Sequence, residues 1–248
     1  MGVIHLPPLL GCKGYKRIDF VIKKALKDLK TLEKGGVDGV LIENEYDHPH
    51  TVFISEPQVA CYSVVAYKIA KETKLPVGIG VLLNDYKAAF SIAKTIGAKF
   101  IRLDVFVDTV QTKWGKIKGE PERVMEFKKK VKADDTLLFT DIHVKHAQLL
   151  KMKTLEQSAK EAIAGGSDVL LITGKKTGEP PEIDKLKRAK SVSENIPVFI
   201  GSGLSFQNAS ELLQYADGAI VGTSLKSGEV INLKKVLELM KVVRKLRK

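Results

Sequence analysis

Asp141 and His143 stand two residues apart at the end of an apolar run, Leu137-Leu138-Phe139-Thr140-Asp141-Ile142-His143. Side chains two apart on an extended strand share a face, so a carboxylate and an imidazole can enter one pocket together. The carboxylate would orient the ring as a general base, or both would ligate a metal. The pair also fits a purely structural Asp–His hydrogen bond. Glu43 and Glu45 share a face in the same way. With Asp141 they would offer oxygen ligands to a divalent cation such as Mg2+, or they bond loop backbone and lysines instead. His5 ends the short run Val3-Ile4-His5. It would assist as an acid–base group from across a barrel, facing Asp141, or sit as a satisfied core histidine. Asn44, Asn84, Asp104, Lys145 and Thr173 close or follow other apolar runs and are further candidates for the same pocket. His48 and His50 flank Pro49 in a polar loop. Without a third ligand at a recognisable spacing, they read as a surface turn rather than a zinc site.

A second kind of chemistry is written near the end of the chain. The apolar run Val198–Ile200 leads into Gly201-Ser202-Gly203, and Ala219–Val221 leads into Gly222-Thr223-Ser224. Glycine lets backbone N–H groups approach an anion closely, and a following helix N-terminus adds a favourable dipole. Ser202, Gly203, Gly222, Thr223 and Ser224 are therefore expected to hold a phosphate. The alternative is that these glycines only make strand-to-helix turns.

Such groups need elements to position them, and the pattern supplies these in alternation. Short β-branched or apolar runs begin near Val3, Gly39, Pro76, Phe100, Thr136, Asp168, Val198 and Ala219. Helical periodicity separates them: Ile18 to Leu32, Glu56 to Thr73, Tyr86 to Ile96, Glu120 to Val131, Leu155 to Ala164, Glu182 to Asn195, Asn208 to Tyr215 and Asn232 to Arg247. Eight such units in one domain of 248 residues predict an α/β fold with eight parallel strands, a (β/α)8 TIM barrel. A doubly wound open sheet is the other candidate, and the lack of a glycine fingerprint after the first run weighs against it. In a barrel the strand ends carry the chemistry and the last two strands commonly hold phosphate. Val107 to Gly119 fits neither period and reads as a long loop over that face, with a small hairpin about Trp114-Gly115.

Bulk properties narrow the function classes. A hydrophobic fraction of 44% supports a sizeable core. No apolar run is long enough to span a membrane and no leader pattern opens the chain, which points to the cytoplasm. The two cysteines lack metal-ligand spacing, as in a reducing compartment. The net charge of +12 is spread over nearly every helix, and only 6% of residues are aromatic, so no nucleic-acid partner is expected. The basic C-terminal helix leaves peripheral contact with an anionic membrane open, as the sequence leaves open a homo-oligomer.

Four segments carry a family resemblance: Gly2–Leu9 (GVIHLPPL), Gly39–Asn44 (GVLIEN), Asp141–Ala147 (DIHVKHA) and Ala216–Lys226 (ADGAIVGTSLK). The chain resembles the BtpA/SgcQ family over nearly its whole length. It departs in one loop, where Cys12-Lys13-Gly14 replaces the usual small and proline residues. The family is similar to phosphate-binding TIM barrels, among them isomerases and synthases of tryptophan biosynthesis. The resemblance implies two functions of different kind. One is an enzyme on a small phosphorylated metabolite, phosphosugar- or nucleotide-related, with isomerase or lyase chemistry. There Asp141 and His143 transfer protons and Glu43 or His5 assist; no cofactor is obligatory, although Mg2+ would fit. The other is a non-enzymatic assembly or stability factor for membrane protein complexes, as in photosystem I biogenesis. A lysine Schiff base is disfavoured, because Lys145 is the nearest lysine to any strand end.

Overall fold

The computed structural model describes residues 1–247. Strands and helices alternate: β1 (Gly2–His5), α1 (Ile18–Gly35), β2 (Val40–Glu43), α2 (Glu56–Glu72), β3 (Val77–Gly80), α3 (Tyr86–Ile96) and β4 (Phe100–Leu103). A hairpin follows, β5 (Thr109–Thr112) and β6 (Gly115–Lys118), then α4 (Pro121–Lys130), β7 (Leu137–Ile142), β8 (Gln148–Leu149) and α5 (Leu155–Ala164). The chain ends with β9 (Val169–Ile172), α6 (Ile183–Val192), β10 (Val198–Ile200), α7 (Ala209–Leu212), β11 (Gly218–Ala219), the ribbon β12 (Lys226–Ser227) and β13 (Val230–Ile231), and α8 (Leu233–Leu246).

Eight strands form one parallel sheet in the order β1-β2-β3-β4-β7-β9-β10-β11. The sheet closes on itself just past β11. There Val221 N–H donates to the Met1 carbonyl and Val3 N–H donates to the Val221 carbonyl, both at 3.0 Å, pairing Gly2 with Val221. The expected TIM barrel is therefore present. Its helices follow local rules. In α1, Val21, Ala25, Leu29 and Leu32 are buried at helical spacing, and Gly36 ends the helix in the left-handed region at φ 82°. Thr154 and Gln157 form a reciprocal capping box at the start of α5. The helix expected over Asn208 to Tyr215 shrinks to one turn. Gln214 N–H and Tyr215 N–H donate back to Glu211 and Leu212, so the chain tightens into 3-10 turns instead of continuing. The segment 107–119 is the expected hairpin, and β8 adds a third strand to it.

The barrel interior explains where the chemistry sits. Val3, Leu41, Phe100, Phe139, Val169, Leu171 and Ile220 form one buried cluster, with Phe100 and Phe139 stacked at 4.4 Å. Two residues further along the same strands come His5, Glu43, Arg102, Asp141 and Thr173. Alternation puts them on the same inward face. An apolar layer thus floors a polar layer at the strands' C-terminal ends. Among the described residues, no helix is long and apolar enough to cross a membrane.

Candidate functional site

The polar layer is organised around Arg102, a residue whose role the sequence pattern did not disclose. Its Nε donates to Asp141 Oδ2 at 2.8 Å and its Nη2 donates to Asp141 Oδ1 at 3.0 Å. Its Nη1 donates to Glu43 Oε1 at 3.1 Å, and Asp104 Oδ1 stands 3.7 Å from Nε. Reaching Glu43 from β4 means passing over β3. Gly80 occupies that level, in register with Glu43 on one side and Arg102 on the other. A Cβ there would come within 3.0 Å of Glu43 Cγ, so the missing side chain opens the path.

The network continues to the other side of Glu43. His5 Nε2 lies 3.5 Å from Glu43 Oε2, and His5 Nδ1 contacts the ammonium of Lys226, which also lies 3.5 Å from the Tyr46 hydroxyl. Lys226 is 8% exposed. It was not foreseen: it lies past the last strand, and only the η-turn at Thr223–Leu225 folds it back over β1. Lys226, His5, Glu43, Arg102 and Asp141 thereby make a continuous chain across the barrel mouth.

Burial and charge tune these groups in opposite directions. Burial alone would raise the Glu43 carboxyl, but Arg102 and the His5 contact hold it down to about 2. Asp104 goes the other way: burial, with Asp141 and Glu43 nearby, overcomes Arg102 and pushes it up to about 7. Burial, with Lys24 nearby, draws the Lys226 ammonium down to about 8. One carboxyl firmly ionised beside another that titrates near neutrality is the separation acid–base sites use.

Above this layer opens a cavity of about 490 Å³. Glu43, Glu45, Arg102 and Asp104 reach it from the barrel, and Lys113, Lys145, Lys176, His48, His50, His146 and Trp114 line its walls. Trp114, in the β5–β6 turn, meets the His50 ring edge to face at 5.8 Å. His48 and His50 therefore border the cavity from the exposed turn expected of them. The loop folds inward because Leu83 and Asn84 N–H donate to the Thr51 and Val52 carbonyls. His50 is drawn down to about 4 by burial and the neighbouring His48, and its buried Nδ1 has no hydrogen-bond partner. A second, apolar cavity of about 380 Å³ lies between β11 and α8, lined by Phe199, Leu213, Val236, Leu239 and Met240 among others. It holds none of the strand-end groups.

Several expectations need correction. Asp141 and His143 do not face one pocket. The strand ends at Ile142, and His143 takes a left-handed backbone, φ 51°, so alternation stops there. Its ring lies 3.2 Å from Ser158 Oγ, whose hydroxyl donates to Asp108 at 2.8 Å. The serine proton goes to Asp108, so His143 does not act as the base on Ser158. Asp141 has both oxygens on Arg102, so it is no ligand in a Glu43–Glu45 cation site, and His5 meets Glu43 rather than Asp141. Asn44 and Asn84 are spent on the loops: Asn44 accepts from Leu82 N–H and donates to the Asp47 carboxylate, and Asn84 both accepts from and donates to the Val105 backbone. Thr173 Oγ1 accepts from Lys145 N–H at 3.2 Å, which fixes the loop that carries Lys145 into the cavity.

The glycine turns are only partly as expected. Gly203 has φ 76°, and a Cβ there would overlap the Glu179–Pro180 backbone. Ser202 Oγ donates to the Glu179 carbonyl at 3.3 Å and Ser224 Oγ donates to the Leu204 carbonyl at 2.6 Å. Gly222 leaves room for His5, whose Cε1 would be 2.9 Å from an added Cβ. Both glycines thus permit close packing by the chain itself. Among the described residues, however, the amides of Gly203, Leu204, Thr223 and Ser224 donate to no protein acceptor, and Thr223 is exposed.

The pattern of the BtpA family matches residues 1–245. The chain belongs to the BtpA family. An uncharacterized protein of Thermococcus kodakarensis is 38% identical over all of this chain and 95% of its own length. The photosystem I biogenesis protein BtpA of Synechocystis is 34% identical over 94% of this chain and 82% of its own. Among solved structures, (S)-3-O-geranylgeranylglyceryl phosphate synthase of Thermoplasma acidophilum, in complex with its substrate sn-glycerol-1-phosphate, superposes with a TM-score of 0.64 at 17% identity, covering 99% of this chain and 92% of that one. That likeness supports the barrel fold.

Proposed function

We propose that this BtpA-family chain is an enzyme that moves protons on a small phosphorylated metabolite, phosphosugar- or nucleotide-related, with isomerase- or lyase-type chemistry. The observation that carries the reading is the position of the ion network. It floors an open cavity instead of being sealed in the core. Burying charges costs several kcal/mol each even when they are paired, and the apolar layer beneath needs no such network to pack. Asp104 titrates near neutrality and serves as the proton-transfer group. Glu43 stays ionised and assists by holding Arg102 and the His5 ring in place. Arg102, held by Asp141, steadies negative charge that develops on a substrate oxygen. His143, turned toward Ser158, has no part in this step. A phosphate meets Lys113, Lys145 and Lys176 on the cavity wall, or the free amides beside Gly203 and Gly222 with the Thr223 hydroxyl. The sn-glycerol-1-phosphate in the Thermoplasma synthase favours this substrate class.

Calorimetric titration of phosphorylated sugars and nucleotides, each beside its dephosphorylated partner, tests the binding half. Exchange of substrate protons for deuterium, followed by NMR, tests the chemistry. Binding of at least one phosphorylated compound is expected, with exchange lowered about 100-fold or more in Asp104→Asn. A panel with no binder sinks the reading.

A second reading follows from the Synechocystis relative, which is named for photosystem I biogenesis: an assembly or stability factor for membrane complexes. The outer surface of α8 carries Lys234, Lys235, Lys241, Arg244 and Lys245, a charge pattern suited to an anionic membrane surface. Sedimentation with anionic but not neutral liposomes in moderate salt would favour it.

A further inference from the structure

We propose that His5, Glu43 and Glu45 form a binding site for a single divalent transition-metal ion, Mn2+ or Zn2+, at the edge of the barrel mouth. One ligand atom from each of the three lies within 4.8 Å of the others. Metal–ligand bonds of about 2.0–2.2 Å place neighbouring ligands roughly 3–4 Å apart, so the three groups need only draw in slightly. His5 and Glu43 come from adjacent strands in direct register, which makes that half of the site rigid. Glu45 follows β2 by two residues and faces the cavity, where an ion would remain open to water and to a bound molecule.

Two further features point to a cation. Arg102 takes Oε1 of Glu43 and leaves Oε2, the atom turned toward His5. Among the described residues, the Glu45 carboxylate has neither a hydrogen bond nor an ion pair, although Lys113, Lys145 and Lys176 line the same cavity. An imidazole in the set selects Mn2+ or Zn2+ over Mg2+, which prefers an all-oxygen shell.

The site does not depend on the enzymatic reading, and its test uses no substrate. The full chain, stripped with a chelator and desalted, is titrated calorimetrically with Mn2+, Zn2+ and Mg2+, and Mn2+ binding is followed in parallel by electron paramagnetic resonance. One Mn2+ or Zn2+ per chain in the micromolar range is expected, with Mg2+ at least about tenfold weaker. Glu45 is partly exposed, so Glu45→Gln keeps the fold and weakens Mn2+ about tenfold or more. His5→Gln abolishes the nitrogen hyperfine signature of bound Mn2+. The neighbouring His48–His50 pair, with rings 4.7 Å apart, is controlled by His50→Ala, which leaves Mn2+ affinity unchanged. Wild-type protein that binds neither Mn2+ nor Zn2+ below millimolar concentration overturns the proposal. So does binding that survives Glu45→Gln and His5→Gln, or that is lost in His50→Ala.

Discussion

Arg102 on β4 grips both carboxylate oxygens of Asp141 on the adjacent strand β7, at 2.8 and 3.0 Å, and reaches Glu43 two strands away with its remaining nitrogen. A planar guanidinium is suited to this, since its fork fits one carboxylate while a third donor stays free. Arg102→Met strands two buried carboxylates without a cation. We expect a loss of about 3–5 kcal/mol, read as a lower urea midpoint at unchanged slope. Arg102→Lys keeps the charge but not the fork and should fall between the two. An Arg102→Met protein as stable as wild type would show that the network contributes nothing to folding.

Asp104 makes stability depend on pH in a direction opposite to Glu43. Its folded carboxyl titrates at about 7, against 3.8 ordinarily. Between those values the folded state holds a proton that the unfolded chain has released, so stability falls as pH rises through that window. Glu43, held at about 2 against 4.5, contributes stability above 4.5 that is lost as pH falls toward 2. Asp104→Asn removes the first effect alone. The stability of Asp104→Asn relative to wild type should therefore grow by up to about 1.4 kcal/mol per pH unit between pH 4 and 7. Denaturant unfolding across that range measures it, and a constant gap would mean that Asp104 titrates normally.

Gly203 and Gly222 separate two uses of glycine. Gly203→Val adds a side chain where the Glu179–Pro180 backbone lies, on a residue at φ 76°. It should cost about 2 kcal/mol or more and raise proteolysis in the Lys175–Pro180 segment, with phosphate binding lost as a consequence. Gly222→Ala presses on the His5 ring instead and should cost about 1–3 kcal/mol without exposing that segment. Limited proteolysis with mass mapping distinguishes the two. Equal cleavage in both variants would refute the assignment.

Trp114 sits on the cavity wall against His50, in a turn held by Thr112, whose hydroxyl accepts from Trp114 N–H and donates to the Gly115 carbonyl. A ligand filling the cavity should change its fluorescence and raise its anisotropy. It is the chain's one tryptophan, so the signal is unambiguous. Unchanged emission for every compound that binds by calorimetry would place binding away from this cavity.

The sequence by itself determined the architecture, because alternating apolar runs and helical stripes are local patterns set by burial. The same alternation placed His5, Glu43, Asp104 and Asp141 at strand ends, and it applies equally to Arg102, two residues before Asp104 and in register with the β7 face that carries Asp141. Parity along the strand thus marks the face Arg102 points to, but not its role or its partners. The tertiary structure alone decided which strand ends meet. Arg102 finds Glu43 only because Gly80 leaves the intervening strand bare. Lys226 reaches His5 only because a turn after the last strand doubles back to the first. His143 leaves the pocket because the backbone departs from extended geometry one residue after β7 ends. Periodicity describes a residue's face while the strand lasts. Partners across the barrel, and side chains beyond a strand's end, are set by closure, register and loop path, which no local pattern encodes.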